Sequence, residues 1–506
     1  MVAPARIHSD NLKWDQSEEL FEQDTARLRK TSQFEKVKAV AETALGTSLK
    51  RAPPLVTGGF HMLYPFRPDG GSPSAKILVR VPFPSQGIFH EENLAMEVAT
   101  ARYLAQRTQL PIPKVYHYGV DPRPGIGPFL MMEDLGSKEL ETMSRSLSTP
   151  HSNPAVLDPN MPEGKLKSLY RKMAECVLQL AQPSFPCIGA LVETSPGSGS
   201  QCITGRPITL NMINMVQLSN VPKSIFPPKG TTYRTTDEWY MVLAEQQMAT
   251  LLFQHNDIIS SRDDCRTKYV ARQLFRRLAK QGRLSSYGFA EDDWSARAKH
   301  SPATLPMPSN SGSFRLWCDD FRPANVLVTE NDEIAAVFDW EFTFAGPTQL
   351  VLDPPWWLLL DTPDSWDNGI EDWEQNYEKR LPTWLSALQE AEKEMKKSGT
   401  PFLLSAYMRD SWATGRFWLN YAARKSWAFD AIYWKYLDEK FFGKRDPNSG
   451  VPKSKLWKTR IHLLSPEEQA AMDNMVEIKM EESKERILVD WEDTEARQRL
   501  KSFLFD

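Results

Sequence analysis

Residues 316–342 read LWCDDFRPANVLVTENDEIAAVFDWEF. Two short apolar runs, at 326–328 and 334–338, lie on either side of a polar turn. Apolar, partly β-branched runs of this length around such a turn predict a β-hairpin. A hairpin brings the start of its first strand beside the end of its second, so Asn325 and Asp339 are expected to meet at one end of it.

Asp320 lies on the short loop that leads into the first strand of this hairpin. The hairpin end therefore carries one amide and two carboxylates, and Mg²⁺ prefers such oxygen ligands and is usually shared with substrate phosphates. The interval from Asp320 to Asn325 matches the D-x-x-x-x-N catalytic loop of kinases, and Asp339 falls where their second metal-binding aspartate lies. An ordinary surface hairpin is the alternative, but it does not require three separated polar positions to match at once.

The stretch resembles the aminoglycoside phosphotransferase and choline kinase-like family, whose usual motif reads HGDFHPGN followed by a strand pair and DWE. The matching positions are Asp320, Phe321, Pro323 and Asn325, then Asp339-Trp340-Glu341. The sequence is most similar to a fungal branch with LWCDDFRPxNVL and DWEFTxA patterns, and the likeness extends through roughly residues 50–440. The resemblance implies a kinase that uses ATP and Mg²⁺. It implies Asp320 as the catalytic base or hydroxyl-orienting residue, and Asn325 and Asp339 as the Mg²⁺ ligands.

Two positions depart from the family's motif. Cys318 stands where the family has its first His, and Arg322 stands where it has its second. Cys318 is either a nucleophile or a small buried residue that packs the loop, the usual state of a free cysteine. Arg322 is either a ligand of the γ-phosphate, since a planar guanidinium suits phosphate oxygens, or a solvated side chain. We count Arg322 with Asp320 among the catalytic candidates.

The sequence signals for the nucleotide-binding side of such a site are weaker one by one. Their order along the chain strengthens them. Gly58 and Gly59 lie between two predicted strands, where a kinase folds glycine over the phosphates, although any tight turn can hold two glycines. Arg80 occupies the position of the phosphate-pairing Lys, and Glu97 on the next helix would pair with it. An exposed strand arginine and a solvated helix carboxylate are the alternatives. Glu133 belongs to the predicted hinge that binds adenine through its backbone.

The rest of the chain divides into regions of strand-like pattern and regions of helical spacing around these motifs. Short strand patterns broken by glycine at 54–82, a helix at 90–108 and two further strands make a compact lobe, and after residue 137 helical spacing dominates. We therefore predict an α+β, protein kinase-like two-lobe fold with a small β-rich N-lobe and a larger, mainly helical C-lobe. The predicted units are an N-terminal helical extension (1–49), the nucleotide-binding N-lobe (50–135), the C-lobe with the catalytic loop (136–445) and a charged helical tail (446–506).

Several helix features are predicted from periodicity and capping residues. Within 16–47, the residues Phe34, Val37, Ala41 and Leu45 recur at three- and four-residue steps and predict one buried face. Asp237 and Ser261 are candidate N-caps of helices in the C-lobe. Ser465-Pro466-Glu467-Glu468 predicts the start of the helix in the tail.

Composition limits the class of protein. The chain has 506 residues, 41% of them hydrophobic and 25% charged, with a net charge of −4, and it has no basic stripe of the kind that binds nucleic acid. No apolar run approaches the roughly 20 residues that span a bilayer, and the N-terminus lacks a secretory signal. The five scattered cysteines favour a reducing compartment over a disulfide framework. The expected setting is cytoplasmic, with neither nucleic acid nor a membrane as partner.

The acceptor side is rich in tryptophan: 13 of the 16 tryptophans fall at or after position 317. Trp356, Trp357, Trp366 and Trp373 are candidates for a pocket that holds a planar or cationic compound, and helix packing is the alternative for most of them. The acidic stretch 361–374 is either attractive to a cationic acceptor or a solvated helix start. No segment for docking a protein substrate comes after Asp339, so the expected acceptor is a hydroxyl of a small molecule.

Two functions remain open on the sequence. An active small-molecule kinase is favoured because Asp320, Asn325 and Asp339 are present together. A pseudokinase, which keeps the fold as a binding or scaffold protein, is the alternative suggested by Cys318 and Arg80. No pattern in the sequence identifies the acceptor or the oligomeric state.

Overall fold

The computed structural model describes residues 6, 9–52, 54–70, 76–121, 125–136, 140–149, 152, 155–195, 197, 199–395, 403–446 and 450–505. An antiparallel sheet with three helices comes first, and a larger, mostly helical part comes after it. This arrangement confirms the predicted α+β, two-lobe architecture. None of the helices within the described ranges is long and apolar enough to cross a membrane.

The N-lobe is built on one antiparallel sheet with the strand order β1-β3-β4-β6-β5, in which β2 pairs with β3. Its strands are β1 (Leu49–Arg51), β2 (Val56–Thr57), β3 (His61–Pro68), β4 (Ile77–Pro82), β5 (Val115–Gly119) and β6 (Phe129–Glu133). Helices α1 (Asn11–Leu28) and α2 (Thr31–Leu45) come before this sheet in the chain, and α3 (His90–Arg107) lies between β4 and β5.

The alternation of side chains along β4 sets the face of the sheet on which Arg80 lies. Ile77, Val79 and Val81 alternate along the strand and are buried in one core with the face of α2 formed by Phe34, Val37 and Ala41. Because successive side chains of a strand point to opposite faces, Arg80 lies on the other face of the sheet. That face packs against α3, whose Leu94 and Val98 are buried there with Leu130 of β6.

The predicted buried face of α2 is confirmed for Phe34, Val37 and Ala41, while Leu45 is only partly buried at the end of the helix. The helix ends at Gly46, which adopts a left-handed conformation with φ of 65°. Only glycine takes this conformation without steric cost, so Gly46 is a natural helix terminator.

The C-lobe consists of helices with short strands and single helical turns between them. Its strands are β7 (Glu141–Thr142), β8 (Ala190–Glu193), β9 (Gln201–Gly205), β10 (Arg315–Cys318), β11 (Val326–Val328), β12 (Ile334–Val337) and β13 (Thr343–Gly346). Its helices are α4 (Met143–Leu147), α5 (Glu163–Ala181), α6 (Leu210–Ser219), α7 (Thr236–Phe253), α8 (Arg262–Lys280), α9 (Arg283–Ser286), α10 (Ala296–His300), α11 (Thr348–Val351), α12 (Ile370–Met395), α13 (Leu404–Thr414), α14 (Arg416–Ala423), α15 (Phe429–Ile432) and α16 (Asp438–Phe442). The tail that follows contains α17 (Pro466–Glu482) and α18 (Asp493–Lys501). Turns of 3₁₀-helix lie at Lys223–Ile225, Pro323–Asn325, Trp356–Leu359, Lys453–Thr459 and Ile461–Leu463, and a π-helical turn at Tyr433–Leu437.

Helix caps test the local predictions. Ser261 caps α8 by accepting a hydrogen bond from the backbone of Asp264, and Ser465 forms a capping box with Glu468 at the start of α17, as predicted. The prediction for α7 is wrong, because Thr235 and not Asp237 is its N-cap. The Asp237 carboxylate instead accepts hydrogen bonds from Ser285 and Asn310.

Both terminal segments are hydrogen-bonded to the C-lobe. The Asp10 carboxylate caps α1 and also accepts hydrogen bonds from Asn256, whose amide nitrogen donates to the carbonyl of Ile487. Near the other end, Gln273 of α8 donates to the carbonyl of Phe503. The first and the last helices therefore pack on the side of the C-lobe formed by α6, α7 and α8.

Candidate active site

A cleft of about 600 Å³ opens between the two lobes. It is lined by eight of the nine residues that the sequence singles out: Gly58, Gly59, Arg80, Glu133, Asp320, Arg322, Asn325 and Asp339. The ninth, Glu97, lies behind the cleft wall, where it is ion-paired with Arg80. The structure thus brings all nine candidates into one region.

The predicted hairpin at the base of the cleft is present. Val326 of β11 pairs with Val337 of β12 in antiparallel register, which sets the residues just outside the strands side by side. The backbone nitrogen of Phe338 donates to the carbonyl of Asn325 at 3.1 Å. Asn325 and Asp339 therefore lie at the same end of the hairpin, as the strand pairing requires.

Asp320 and Asn325 are joined through the Asn325 amide. Its Nδ2 donates to the backbone carbonyl of Asp320 at 2.8 Å and to the carboxylate at 3.4 Å. Because the nitrogen is used in this way, the amide oxygen of Asn325 is the atom left to bind a cation. Asp320 is only 5% exposed, and the Nε of Arg322 lies 3.0 Å from its Oδ1, so Arg322 orients or balances this carboxylate.

Asp339 is held in a left-handed backbone conformation with φ of 66°. Its Oδ1 is buried and forms no hydrogen bond with the described residues, although the Nη1 of Arg80 lies 3.5 Å away. Burial and the nearby Glu341 raise the pKa of Asp339, and the Arg80 guanidinium opposes them. A buried carboxylate oxygen without a donor is costly, and a bound cation would relieve that cost.

Arg80 is buried among three carboxylates. Its Nη2 donates to Glu97, which forms the predicted ion pair, and to Glu341 at 3.1 Å, while Asp339 faces its Nη1. Burial raises the pKa of Glu97 against the attraction of Arg80, and the two other carboxylates raise it further. Three carboxylates thus face one guanidinium, which is the electrostatic setting of a divalent cation site.

Glu341 and His61 are the site residues that sequence reasoning missed. The Nε2 of His61, at the start of β3, lies 2.8 Å from Oε1 of Glu341. Burial alone would raise the pKa of Glu341, but His61 and Arg80 outweigh burial and hold it at about 2. The DWE motif and the position of His61 after two glycines were the available signals. Neither shows that the two side chains meet at Arg80, since that contact joins the two lobes.

The depressed pKa of Glu341 predicts an acid-sensitive contribution to stability. A carboxyl whose pKa falls from 4.5 to about 2 on folding contributes on the order of 3 kcal/mol above pH 4.5, and the contribution is lost as the pH falls towards 2. We expect the difference in unfolding free energy between wild type and Glu341→Gln to be largest at pH 7 and to narrow at pH 3, as measured by urea unfolding. Glu330→Gln, in the exposed hairpin turn, is the control. A difference that is constant with pH would contradict this role of Glu341.

The upper wall of the cleft contains the glycine turn and the end of β6. The backbone nitrogen of Gly58 donates to the carbonyl of His61 at 2.8 Å, which closes a tight turn between β2 and β3. A side chain at Gly59 would meet no atom within 4 Å, so that position is open to the cleft. Glu133 exchanges hydrogen bonds with the backbone of Lys114, its nitrogen donating at 2.8 Å and its carboxylate accepting at 3.3 Å. Its side chain is thus directed along the sheet edge at the rim of the cleft.

Cys318 and the tryptophans behave as packing residues. Cys318 is half-buried, burial raises the pKa of its thiol, and its Sγ donates to the carbonyl of Glu341. Trp356, Trp357 and Trp373 are buried in the main core of the C-lobe. Helix packing is therefore the structural role of these three rings, and Trp366 is half-buried with its Nε1 donating to Asp372.

The oxygen atoms of the cleft decide whether a metal ion fits there. Across the part of the chain that the structure describes, no group of three or more His, Cys, Asp and Glu side chains forms a ready-made metal cage. The cleft offers the amide oxygen of Asn325 and the carboxylate of Asp339. Mg²⁺ commonly binds through one or two such protein ligands and completes its shell with water and substrate phosphates. These residues therefore fit a magnesium ion whose remaining ligands are not protein side chains.

Comparison with known proteins gives one strong match. Residues 69–388 match the profile of the phosphotransferase enzyme family, which is more than half of the chain. A macrolide 2′-phosphotransferase type I shares 14% identity and a TM-score of 0.35, with 81% of this chain and 95% of that chain covered. A choline kinase from Cryptosporidium parvum Iowa II shares 10% identity and a TM-score of 0.35, with 87% and 89% covered. A Plasmodium vivax ethanolamine kinase shares 12% identity and a TM-score of 0.29, with 72% and 82% covered.

These structural likenesses are too weak to carry an argument about this chain, and the comparison with curated proteins gave no match. The family match and the geometry of the cleft are therefore the two findings from which function can be inferred.

Proposed function

The chain belongs to the phosphotransferase enzyme family, and on that premise we propose that it transfers the γ-phosphoryl group of ATP to a hydroxyl of a small molecule in a Mg²⁺-dependent reaction. One observation carries the proposal: Asp320, Asn325 and Asp339 converge on a single interlobe cleft of about 600 Å³. A cleft of this volume is the size of an ordinary small-molecule or cofactor site.

Asp320 has the geometry of the residue that positions the attacking hydroxyl. Its carboxylate lines the cleft, is nearly buried, and is fixed by Asn325 and Arg322. In the transfer step the hydroxyl oxygen forms a bond to the γ-phosphorus while the bond from that phosphorus to the bridging oxygen breaks. The hydroxyl proton passes to Asp320, and ADP leaves with the bonding electrons. Such a reaction asks the protein mainly for alignment and charge neutralisation.

Asn325 and Asp339 would hold Mg²⁺, whose charge neutralises the phosphate oxygens. Arg80, anchored by Glu97, supplies positive charge at the back of the same cleft, where a phosphate-pairing residue belongs. The turn at Gly58 and Gly59 is open at Gly59, which leaves room for phosphates to approach the backbone there. The end of β6, which includes Glu133, is the hinge proposed to bind adenine through main-chain groups.

The segment after Asp339 supports a small acceptor. Strand β13 (Thr343–Gly346) and helix α11 (Thr348–Val351) come directly after this residue and are buried. This leaves no long surface segment beside the base on which a protein substrate would dock. A small molecule that enters the cleft from the C-lobe is the acceptor that fits.

A pseudokinase is the second candidate, and one contact favours it. The Nη1 of Arg80 lies 3.5 Å from Oδ1 of Asp339, so a guanidinium faces the oxygen that the proposal assigns to the metal. If Arg80 holds that carboxylate permanently, the protein would bind ligands without turnover.

An ADP-release assay separates the two candidates. We expect Mg²⁺-dependent ADP release from ATP that rises when a hydroxylated acceptor from a metabolite panel is added, with the γ-phosphate recovered on that acceptor. EDTA should abolish both signals. ATP binding without ADP release across the panel would favour the pseudokinase.

A further inference from the structure

A buried lysine without a partner lies beside the proposed catalytic base. Lys425 follows helix α14 and is only 6% exposed. Within the described ranges, its ammonium group takes part in no hydrogen bond and no ion pair. Three aromatic rings surround it instead, with centroids 6.0 Å (Trp356), 5.3 Å (Tyr421) and 4.9 Å (Trp427) from its Nζ.

The carboxylates that could pair with Lys425 are occupied by other donors. Asp364 accepts hydrogen bonds from Tyr421 and, at 2.7 Å, from Trp427. Asp319 accepts from Trp317 at 2.7 Å and from Arg424 at 3.3 Å. Burial lowers the pKa of Lys425, although Asp364, Asp319 and Asp320 oppose that effect. In this mostly buried setting the ammonium group has aromatic rings around it but no anionic partner of its own among the described residues.

Two neighbouring donors of Lys425 are also unsatisfied. The Nε of Arg424 and the Oγ of Ser426 are buried and form no hydrogen bond with the described residues. Asn211 of α6 holds the backbone here, because its Oδ1 accepts from the backbone nitrogen of Ser426 at 2.9 Å. We name the consecutive residues Arg424, Lys425 and Ser426 the donor cluster.

The donor cluster lies on the acceptor side of the site. Arg424 contacts Asp319, the residue directly before Asp320, and Lys425 is close enough to Asp320 for the two charges to interact. Buried donors without acceptors destabilise a fold, so several of them at one place indicate that a ligand brings the acceptor atoms. Arg424 is already paired with Asp319, so Lys425 is the cation of this cluster that is left to bind an anionic oxygen group.

We propose that the donor cluster binds an anionic group, a carboxylate or a phosphate ester, on the molecule whose hydroxyl is phosphorylated. This inference rests on the proposed function and names its substrate class: a hydroxylated anion. Binding of that group by Lys425 would place the hydroxyl of the same molecule against Asp320.

The competing role for Lys425 is structural, as a counter-charge to Asp364. Lys425→Met separates the two roles, since methionine has similar length and no charge. We expect the melting temperature of Lys425→Met to equal or exceed that of wild type, because an unpaired buried charge is removed. A clear loss of melting temperature would show that Lys425 serves the fold and would overturn the proposal.

The direct test uses matched probes in the ADP-release assay. The probes are glycerate and glyceramide, 4-(hydroxymethyl)benzoate and its carboxamide, and glycerol 3-phosphate and glycerol. We expect at least one anion to exceed its neutral counterpart tenfold in kcat/KM, and Lys425→Met to raise the KM for that anion at least tenfold without changing the KM for ATP. Lys435→Met, at a lysine that also lies near a ring (Tyr436, 5.2 Å) but is ion-paired with Glu371, is the control and should change neither.

Three results would overturn the inference: neutral probes that match the anions, an anion KM that Lys425→Met leaves unchanged, or a KM for ATP that rises in that variant. Calorimetric binding of the same probes distinguishes this failure from failure of the proposed function. Anion binding that Lys425→Met removes, with no ADP release, would keep the anion site and reject the transfer chemistry. ADP release with no preference for anions would keep the transfer chemistry and reject the anion site. Comparing carboxylates with the phosphate ester then identifies the group.

Discussion

Asp320→Asn is expected to lower phosphoryl transfer about 10³-fold and to leave the affinity for ATP within a factor of two. The carboxylate is nearly buried and fixed by Asn325 and Arg322, so the proton of an attacking hydroxyl has one well-placed acceptor. An amide of the same size keeps the packing and the contact with Asn325 but cannot take up that proton. The loss should therefore appear in kcat and not in nucleotide binding.

The measurement for Asp320→Asn is ADP release at saturating Mg²⁺ and ATP, with and without the acceptor, beside calorimetric binding of ATP to the same preparation. Retained ATP binding shows that the variant is folded and its nucleotide site intact. Transfer within tenfold of wild type would show that another group positions the hydroxyl.

Asp339→Asn is expected to lower the affinity for ATP in the presence of Mg²⁺ at least 100-fold and to have little effect when Mg²⁺ is absent. Asparagine is the sharper substitution here, because Asp339 adopts a left-handed backbone that asparagine tolerates and alanine does not. Only the charge of a metal ligand is then lost. Loss of the Asp339 charge beside Arg80 should also lower the pKa of Glu97, which is paired with the same guanidinium.

Equilibrium dialysis of ATP at several Mg²⁺ concentrations measures this effect. Asp332→Asn is a matched control, since Asp332 has nearly the same left-handed φ, 60°, but lies in the turn of the hairpin. Wild-type dependence on Mg²⁺ in Asp339→Asn would rule Asp339 out as a metal ligand.

Local patterns predicted much of the fold. The hairpin of β11 and β12, the buried face of α2 and the capping box at Ser465 all depend on residues close together in sequence, and the structure confirms them. The N-cap of α7 was predicted wrongly for a tertiary reason. Asp237 has the right residue type for a cap, but Ser285 and Asn310 draw its carboxylate away.

The site was predictable to the extent that kinase-like motifs fix spacing along the chain. The pairing of Arg80 with Glu97 was expected from such an order, whereas Glu341 and His61 reach Arg80 only because the two lobes pack together. The donor cluster was beyond sequence reasoning for the same reason. An arginine followed by a lysine usually marks a solvated surface, and only the structure shows that Lys425 is buried.

A calorimetric titration of ATP into the wild-type protein, with Mg²⁺ and again with EDTA, tests the assignment of the cleft itself. We expect one binding site per chain with Mg²⁺ and affinity at least 100-fold weaker with EDTA, because Asn325 and Asp339 offer the cation too few ligands without the phosphates. A folded protein that binds no ATP, or binds it equally well with and without Mg²⁺, would contradict the assignment of this cleft as a magnesium-dependent phosphotransferase site.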